Sequence, residues 1–135
     1  MPRVQFVGAW ALASVEAASP GSPATRPWGD HPVGRIVWTA DGHFAAQVHP
    51  IPDQSAAATA APAYAAYFGT FDVDDGAGVI VHHVAGANSP AIAGDQRRVF
   101  RFLTPNRLTL QPPAREVDGV AVTTTLTWER LPAHA

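Results

Sequence analysis

The chain has 135 residues, of which 47% are hydrophobic and 15% charged, a composition that predicts one globular domain and excludes a disordered segment. Nine Lys and Arg residues against 11 Asp and Glu residues give a formal net charge of −2, so the basic surface that nucleic-acid binding requires is missing. All the basic residues are arginine and cysteine is absent, which excludes lysine Schiff bases, cysteine nucleophiles and thiolate metal sites.

The N-terminal residues lack the sustained apolar stretch of a signal peptide, and no segment approaches the roughly 18 apolar residues of a membrane span. We therefore expect a cytoplasmic protein without a membrane partner. The sequence leaves a homodimer open.

The first half of the chain predicts three strands separated by turns. Residues 6–13 are apolar and end in a loop over 18–32 that is rich in proline and glycine. The β-branched run 34–39 leads through Asp41-Gly42 into a return strand at 43–48. Because Asp-Gly is a strong turn signal, we expect a β-hairpin here.

An alanine-rich stretch then interrupts the strands. Asp53 is placed to cap a helix over 53–66, and either one short helix or two helices broken at Pro62 are expected. Further strands are predicted at 67–73, 79–85, 96–103, 107–111 and 117–131, separated by turns and loops.

About eight short strands in sequential order predict an all-β fold, a single antiparallel up-and-down barrel over residues 1–135, with the helix covering one end. Period-two phasing places Arg98, Phe100 and Phe102 on one face of their strand, and Tyr67 and Phe71 on one face of theirs. A barrel of this size has room inside for side chains or for one small ligand.

Several short motifs follow one another in a recognisable order: Gly8-Ala9-Trp10, 34–42, Gln47, 67–71, 81–84, Asn88 with Pro90 and Gly94, Arg98-Val99-Phe100, 107–110 and 126–130. In this order the chain resembles the bacterial and fungal lipocalin-like domain proteins. The resemblance implies a barrel of about eight strands whose base is closed by the Trp10 segment. Trp38 stands where tyrosine is more usual, and the predicted helix is unusually rich in alanine. Because of these departures, the identity of the ligand cannot be inferred from the resemblance.

Arg98 and one histidine are the candidate catalytic residues. A guanidinium among aromatic rings needs an anionic or carbonyl-rich partner, so Arg98 either meets the ligand or closes the base of the barrel over Trp10. His82 and His83 are adjacent, so in a strand they point to opposite faces. We expect His83 on the pocket side, where its pKa near 6.5 would suit acid-base catalysis.

A second group of side chains is expected to bind the ligand through apolar surface or hydrogen bonds: Trp38, Gln47, Tyr64, Tyr67, Phe71, Asn88, Phe100 and Trp128. Tyr64 would lie on the covering helix. The histidines match no zinc motif, so neither a metal nor another cofactor is expected.

Two functions that fit these residues have a small, largely apolar metabolite as the expected partner, and a third alternative is a filled barrel that acts through its surface. The first is a cofactor-free isomerase, cyclase or dehydratase that uses acid-base and shape effects through His83 and Arg98. The second is a non-catalytic carrier, whose aromatic lining would supply affinity by apolar burial.

Overall fold

A computed structural model of the chain describes residues 2–49 and 64–134. Its elements are two 3₁₀ helices, η1 (Pro2–Gln5) and η2 (Pro90–Ile92), and ten strands: β1 (Gly8–Ser19), β2 (Ser22–Thr25), β3 (Val33–Trp38), β4 (His43–His49), β5 (Ala65–Asp74), β6 (Val79–Ala87), β7 (Gly94–Thr104), β8 (Arg107–Gln111), β9 (Arg115–Val117) and β10 (Val120–Arg130). None of the described helices is long and apolar enough to cross a membrane.

Eight of these strands close into an antiparallel barrel. They pair in the order β1, β3, β4, β5, β6, β7, β8 and β10, and β10 returns to pair with β1 from Trp10↔Arg130 to Ala18↔Thr123. The short strand β2 pairs with the end of β1, and the short strand β9 pairs with the start of β10. The prediction of an eight-stranded antiparallel barrel is therefore confirmed.

Turn residues explain two of the hairpins. Asp41-Gly42 lies between β3 and β4 as predicted, with Gly42 at a φ of 95°. Asp118 and Gly119 join β9 to β10 with φ values of 51° and 78°. Both φ values are positive, as a two-residue hairpin turn of type I′ requires, so the prediction of one strand over 117–131 missed a turn.

β1 is longer than the predicted strand over 6–13 because its second half pairs with β10. The register shifts between Leu12 and Ser14, so the buried positions change from Trp10 and Leu12 to Val15. A bulge of this kind inserts one residue and reverses the inward phase of the strand. The predicted loop over 18–32 likewise contains the end of β1 and all of β2.

Most of the predicted helix over 53–66, its residues 53–63, lies outside the described residues. Its last part is described, and there it is not helical: Tyr64 precedes β5, and Ala65 and Ala66 belong to that strand. Both described helices are short 3₁₀ turns elsewhere in the chain.

An aromatic cluster closes one end of the barrel. The η1 turn places the buried ring of Phe6 between the rings of Trp38, Phe100 and Phe102, at centroid distances of 5.0 to 5.3 Å. The Trp10 indole donates a hydrogen bond of 2.9 Å to the Phe6 carbonyl oxygen. Base closure by the Trp10 segment thus occurs as the resemblance implied.

Candidate functional site

The other end of the barrel contains a cavity of about 370 Å³. Its apolar wall includes Ile36, Val48, Leu110, Leu126 and Trp128. Its polar lining comes from Tyr67, His82, Gln96, Arg98, Arg115 and Thr124. The cavity reaches the surface beside the exposed Pro27, Pro113 and Arg115. Because the aromatic cluster fills the opposite end, this cavity is the open part of the interior.

His82 is the histidine that lines this cavity. Its side chain is buried, its Nε2 accepts a 2.9 Å hydrogen bond from Trp38 Nε1, and its ring stacks on Trp38 at an angle of 13°. Burial, reinforced by the positive charge of Arg98 and by the neighbouring His83, lowers the pKa of His82 to about 3. His82 is therefore neutral near pH 7, and since Nε2 accepts, Nδ1 carries the proton.

His83 lies on the outer face of the barrel, so the prediction that it faces the pocket was wrong. Its Nδ1 lies 2.9 Å from an Asp95 carboxylate oxygen and its Nε2 lies 2.9 Å from an Asp72 carboxylate oxygen. Hydrogen bonds to Asp95 and Asp72 raise the pKa of His83. Apolar neighbours along the strand could not distinguish the two histidines, because Val79 and Val81 share a face with His83 while Ile80 and Val84 share one with His82.

Arg98 lines the cavity and does not close the base. Its Nη1 donates to the Arg97 carbonyl oxygen and its Nη2 to Gln96 Oε1, each at 2.9 Å. Burial lowers the pKa of Arg98, opposed by its interaction with Tyr67. The guanidinium over Trp10 belongs instead to Arg130, 4.3 Å from the ring centroid. The alternative role considered for Arg98 is thus filled by another arginine.

Two aromatic residues bring further polar groups to the cavity wall. Burial raises the pKa of Tyr67, although Arg98 opposes this shift, so its hydroxyl stays protonated at neutral pH. Trp128 is buried, and its indole Nε1 has no hydrogen-bond partner in the described part of the chain. Both residues were expected in the pocket, and both line the cavity.

Three residues expected at the pocket lie outside the barrel. Gln47 and Asn88 line a separate groove of about 650 Å³ on the outer face of β3 to β6. Asn88 donates to the Tyr64 carbonyl oxygen and accepts from the Ala66 amide, so it fastens the start of β5 to the end of β6. Tyr64 is exposed and its ring packs against His49.

The remaining aromatic candidates belong to the packed core. Trp38 and Phe71 are almost fully buried, and Phe100 packs against Phe6. None of the three lines the cavity, but Trp38 holds His82 in place through its hydrogen bond. Within residues 2–49 and 64–134, no cluster of three or more His, Asp or Glu side chains has the arrangement of a metal site.

The sequence reasoning missed His82 and Gln96, although a signal for His82 was present. β5 pairs with β6 so that Phe71 lies opposite His82 and Thr70 opposite His83. Residues directly opposite each other in an antiparallel pair share a face. Once Phe71 was assigned inward, pairing across the turn from Asp74 to Val79 would have placed His82 inward too.

Comparison with known proteins places this barrel in a family. Among solved structures, a redesigned beta barrel resembles the chain with 10% sequence identity and a TM-score of 0.48, over 96% of this chain and 95% of that one. No curated protein matches the chain. The model of the lipocalin-like domain matches residues 7–131. Since this match covers nearly the whole sequence, the chain belongs to the lipocalin-like domain family.

Proposed function

We propose that the protein binds a small, largely apolar organic molecule inside the barrel, at the end opposite Trp10. The observation that carries this proposal is the cavity of about 370 Å³, whose lining is mostly aliphatic and aromatic, with a minority of polar side chains. Sites for small molecules have this character and volumes from about 300 to 1,000 Å³. Membership of the lipocalin-like family supports the same function.

The side chains around the cavity favour binding over acid-base catalysis. An isomerase, cyclase or dehydratase mechanism through His83 would require that residue beside the ligand, and His83 lies outside the barrel. His82 lines the cavity, but its pKa of about 3 makes it a weak base, and its Nε2 already accepts from Trp38. A general base works best when its pKa lies near the working pH.

The test is saturable binding of a neutral apolar probe, N-phenyl-1-naphthylamine, followed by its fluorescence and by equilibrium dialysis. Thr124 lines the cavity, so Thr124→Phe adds a ring to the space that the ligand would occupy. We expect this variant to lose affinity by at least about tenfold. The matched control is Val37→Phe, which adds a ring to the outer groove, and it should bind as the wild type does.

Circular dichroism of both variants checks that the barrel is intact. Loss of binding in Val37→Phe with full binding in Thr124→Phe would move the site to the outer groove and contradict the proposal. The proposal would also be contradicted if the wild type bound neither this neutral probe nor its anionic analogue, 8-anilinonaphthalene-1-sulfonate.

A further inference from the structure

We infer that the ligand is an apolar molecule with an anionic oxygen group, a carboxylate, and that Arg98 binds this group inside the barrel. This inference rests on the proposed function and adds the chemical class of the ligand.

The charge of Arg98 is uncompensated in the described residues. The cavity lining includes no Asp or Glu, and no carboxylate of the described chain forms a salt bridge with this guanidinium. Its hydrogen bonds go to two neutral acceptors, the Arg97 carbonyl oxygen and the Gln96 side chain. Arg98 is partly buried, and because a partly buried charge without a counter-charge is unfavourable, an anion entering the cavity would be favoured.

The guanidinium is also held in position before any ligand arrives. Gln96 Nε2 donates a 3.1 Å hydrogen bond to the Ile92 carbonyl oxygen at the end of η2. This bond directs the Gln96 Oε1 atom toward Arg98, which donates to it at 2.9 Å. An arginine has five donors, so donors remain for a carboxylate after these two bonds.

Other side chains on the cavity wall also carry hydrogen-bond donors. Trp128 Nε1 is buried without a partner among the described residues. His82 is a neutral donor through Nδ1, since its Nε2 accepts from Trp38. Tyr67 lines the cavity, and because burial raises the pKa of its hydroxyl, this group is protonated at neutral pH and can donate. These donors fit a ligand that brings acceptor oxygens, and a carboxylate has about four lone-pair sites.

The charge at the cavity opening also favours an anionic ligand. The chain has a net charge of −2, yet the charged residues that line the cavity are Arg98 inside and the exposed Arg115 near the surface. A local excess of positive charge in a cleft raises the local concentration of anions. The aliphatic wall at the same time requires that the remainder of the ligand be apolar.

Two probes that differ in one anionic group test the inference. N-Phenyl-1-naphthylamine is neutral, and 8-anilinonaphthalene-1-sulfonate has the same ring system with a sulfonate added. We expect the wild type to bind the anionic probe more tightly by at least about tenfold, the effect of one well-formed charged hydrogen bond. Arg98→Gln should abolish this preference and still bind the neutral probe.

Arg101→Gln is the matched control, because Arg101 is an exposed residue of the same strand and its loss changes the net charge equally. It should keep the preference for the anion. Decanoate and decanol, competing for the probe site on the wild type, extend the test from sulfonate to carboxylate. If Arg98→Gln does not fold, Arg98→Lys keeps the charge and should retain a reduced preference.

The outcomes separate the two proposals. Equal affinity of the wild type for both probes, or equal competition by decanoate and decanol, would overturn the anionic ligand while leaving the binding function intact. An equal loss of preference in Arg101→Gln would also overturn it, since surface charge would then be the cause. Binding of neither probe would overturn the binding function itself.

Discussion

His82 and His83 are neighbours in the chain, yet their pKa values shift in opposite directions. The ring of His82 is buried against Trp38 and Phe44, which favours the neutral form and lowers its pKa to about 3. The ring of His83 lies between Asp95 and Asp72, which favour the protonated form and raise its pKa. The sign of each shift follows from the face of β6 on which the ring lies.

The low pKa of His82 predicts that acid destabilises the protein. The unfolded chain takes up this proton near pH 6.5 and the folded protein only near pH 3, so the stability that His82 contributes is lost as the pH falls between these values. The slope is about 1.4 kcal/mol per pH unit. In His82→Gln, whose amide can still accept from Trp38, urea denaturation at pH 6, 5 and 4 should show a slope smaller by about this amount. An unchanged slope would contradict the buried neutral state of His82.

At the scale of elements, β6 is joined to its neighbours on the outer face of the barrel by His83. Its ring connects Asp72 of β5 to Asp95 of β7, and Asp72 also lies 3.6 Å from the Arg3 guanidinium. These side chains are largely exposed to solvent, so the ion pairs contribute little: exposed pairs are typically worth less than about 1 kcal/mol.

The raised pKa of His83 gives a pH dependence opposite to that of His82. Because the folded protein holds this proton more tightly, the contribution is complete below pH 6.5 and is lost as the pH rises through the raised pKa. Wild type should exceed His83→Gln in unfolding free energy by at most about 1 kcal/mol at pH 5, and by less at pH 9. If the difference in unfolding free energy between wild type and His83→Gln, measured by urea denaturation, grew with pH, the result would be inconsistent with the bridge to Asp72 and Asp95.

The positions of the strands could be predicted from the sequence better than their ends or the barrel face on which each side chain lies. Alternation and turn residues located β3 and β4, whose Asp41-Gly42 turn is a local signal. The same kind of signal at Asp118-Gly119 was overlooked, so β9 and β10 were merged. The length of β1 could not be read locally, because its second half is an alanine- and serine-containing segment that becomes a strand by pairing with β10.

At the scale of the whole molecule, the barrel has one packed end and one open end. Arg130 secures the packed end: its guanidinium lies over Trp10 and donates to the carbonyl oxygens of Val7, Gln5 and Pro105. A residue near the C-terminus thereby holds the first turn of the chain against the base. The cavity lies at the opposite, open end of the barrel.

Arg130→Met should lower the free energy of unfolding by about 2 kcal/mol, because it removes charged hydrogen bonds to backbone oxygens and the contact with the Trp10 ring. Arg107→Met is the matched control, since Arg107 lies nearby and pairs only with the exposed Glu129 in the described chain. Arg107→Met should lower the free energy of unfolding by less than about 1 kcal/mol. Equal costs in urea denaturation would mean that Arg130 does not secure the base.

The sequence by itself determined the class of fold and the positions of most strands, because alternation and turn chemistry act over short distances along the chain, whereas closure of the base by the Trp10 segment was implied by the family resemblance. Only the tertiary structure decided that Arg130 and not Arg98 covers Trp10, and that Gln47 and Asn88 lie outside. These placements depend on strand register and on which charges come together across the barrel, and both arise from pairing between distant segments. The same pairing leaves Arg98 in the cavity without a carboxylate among its described neighbours, and that is the basis for the anionic ligand.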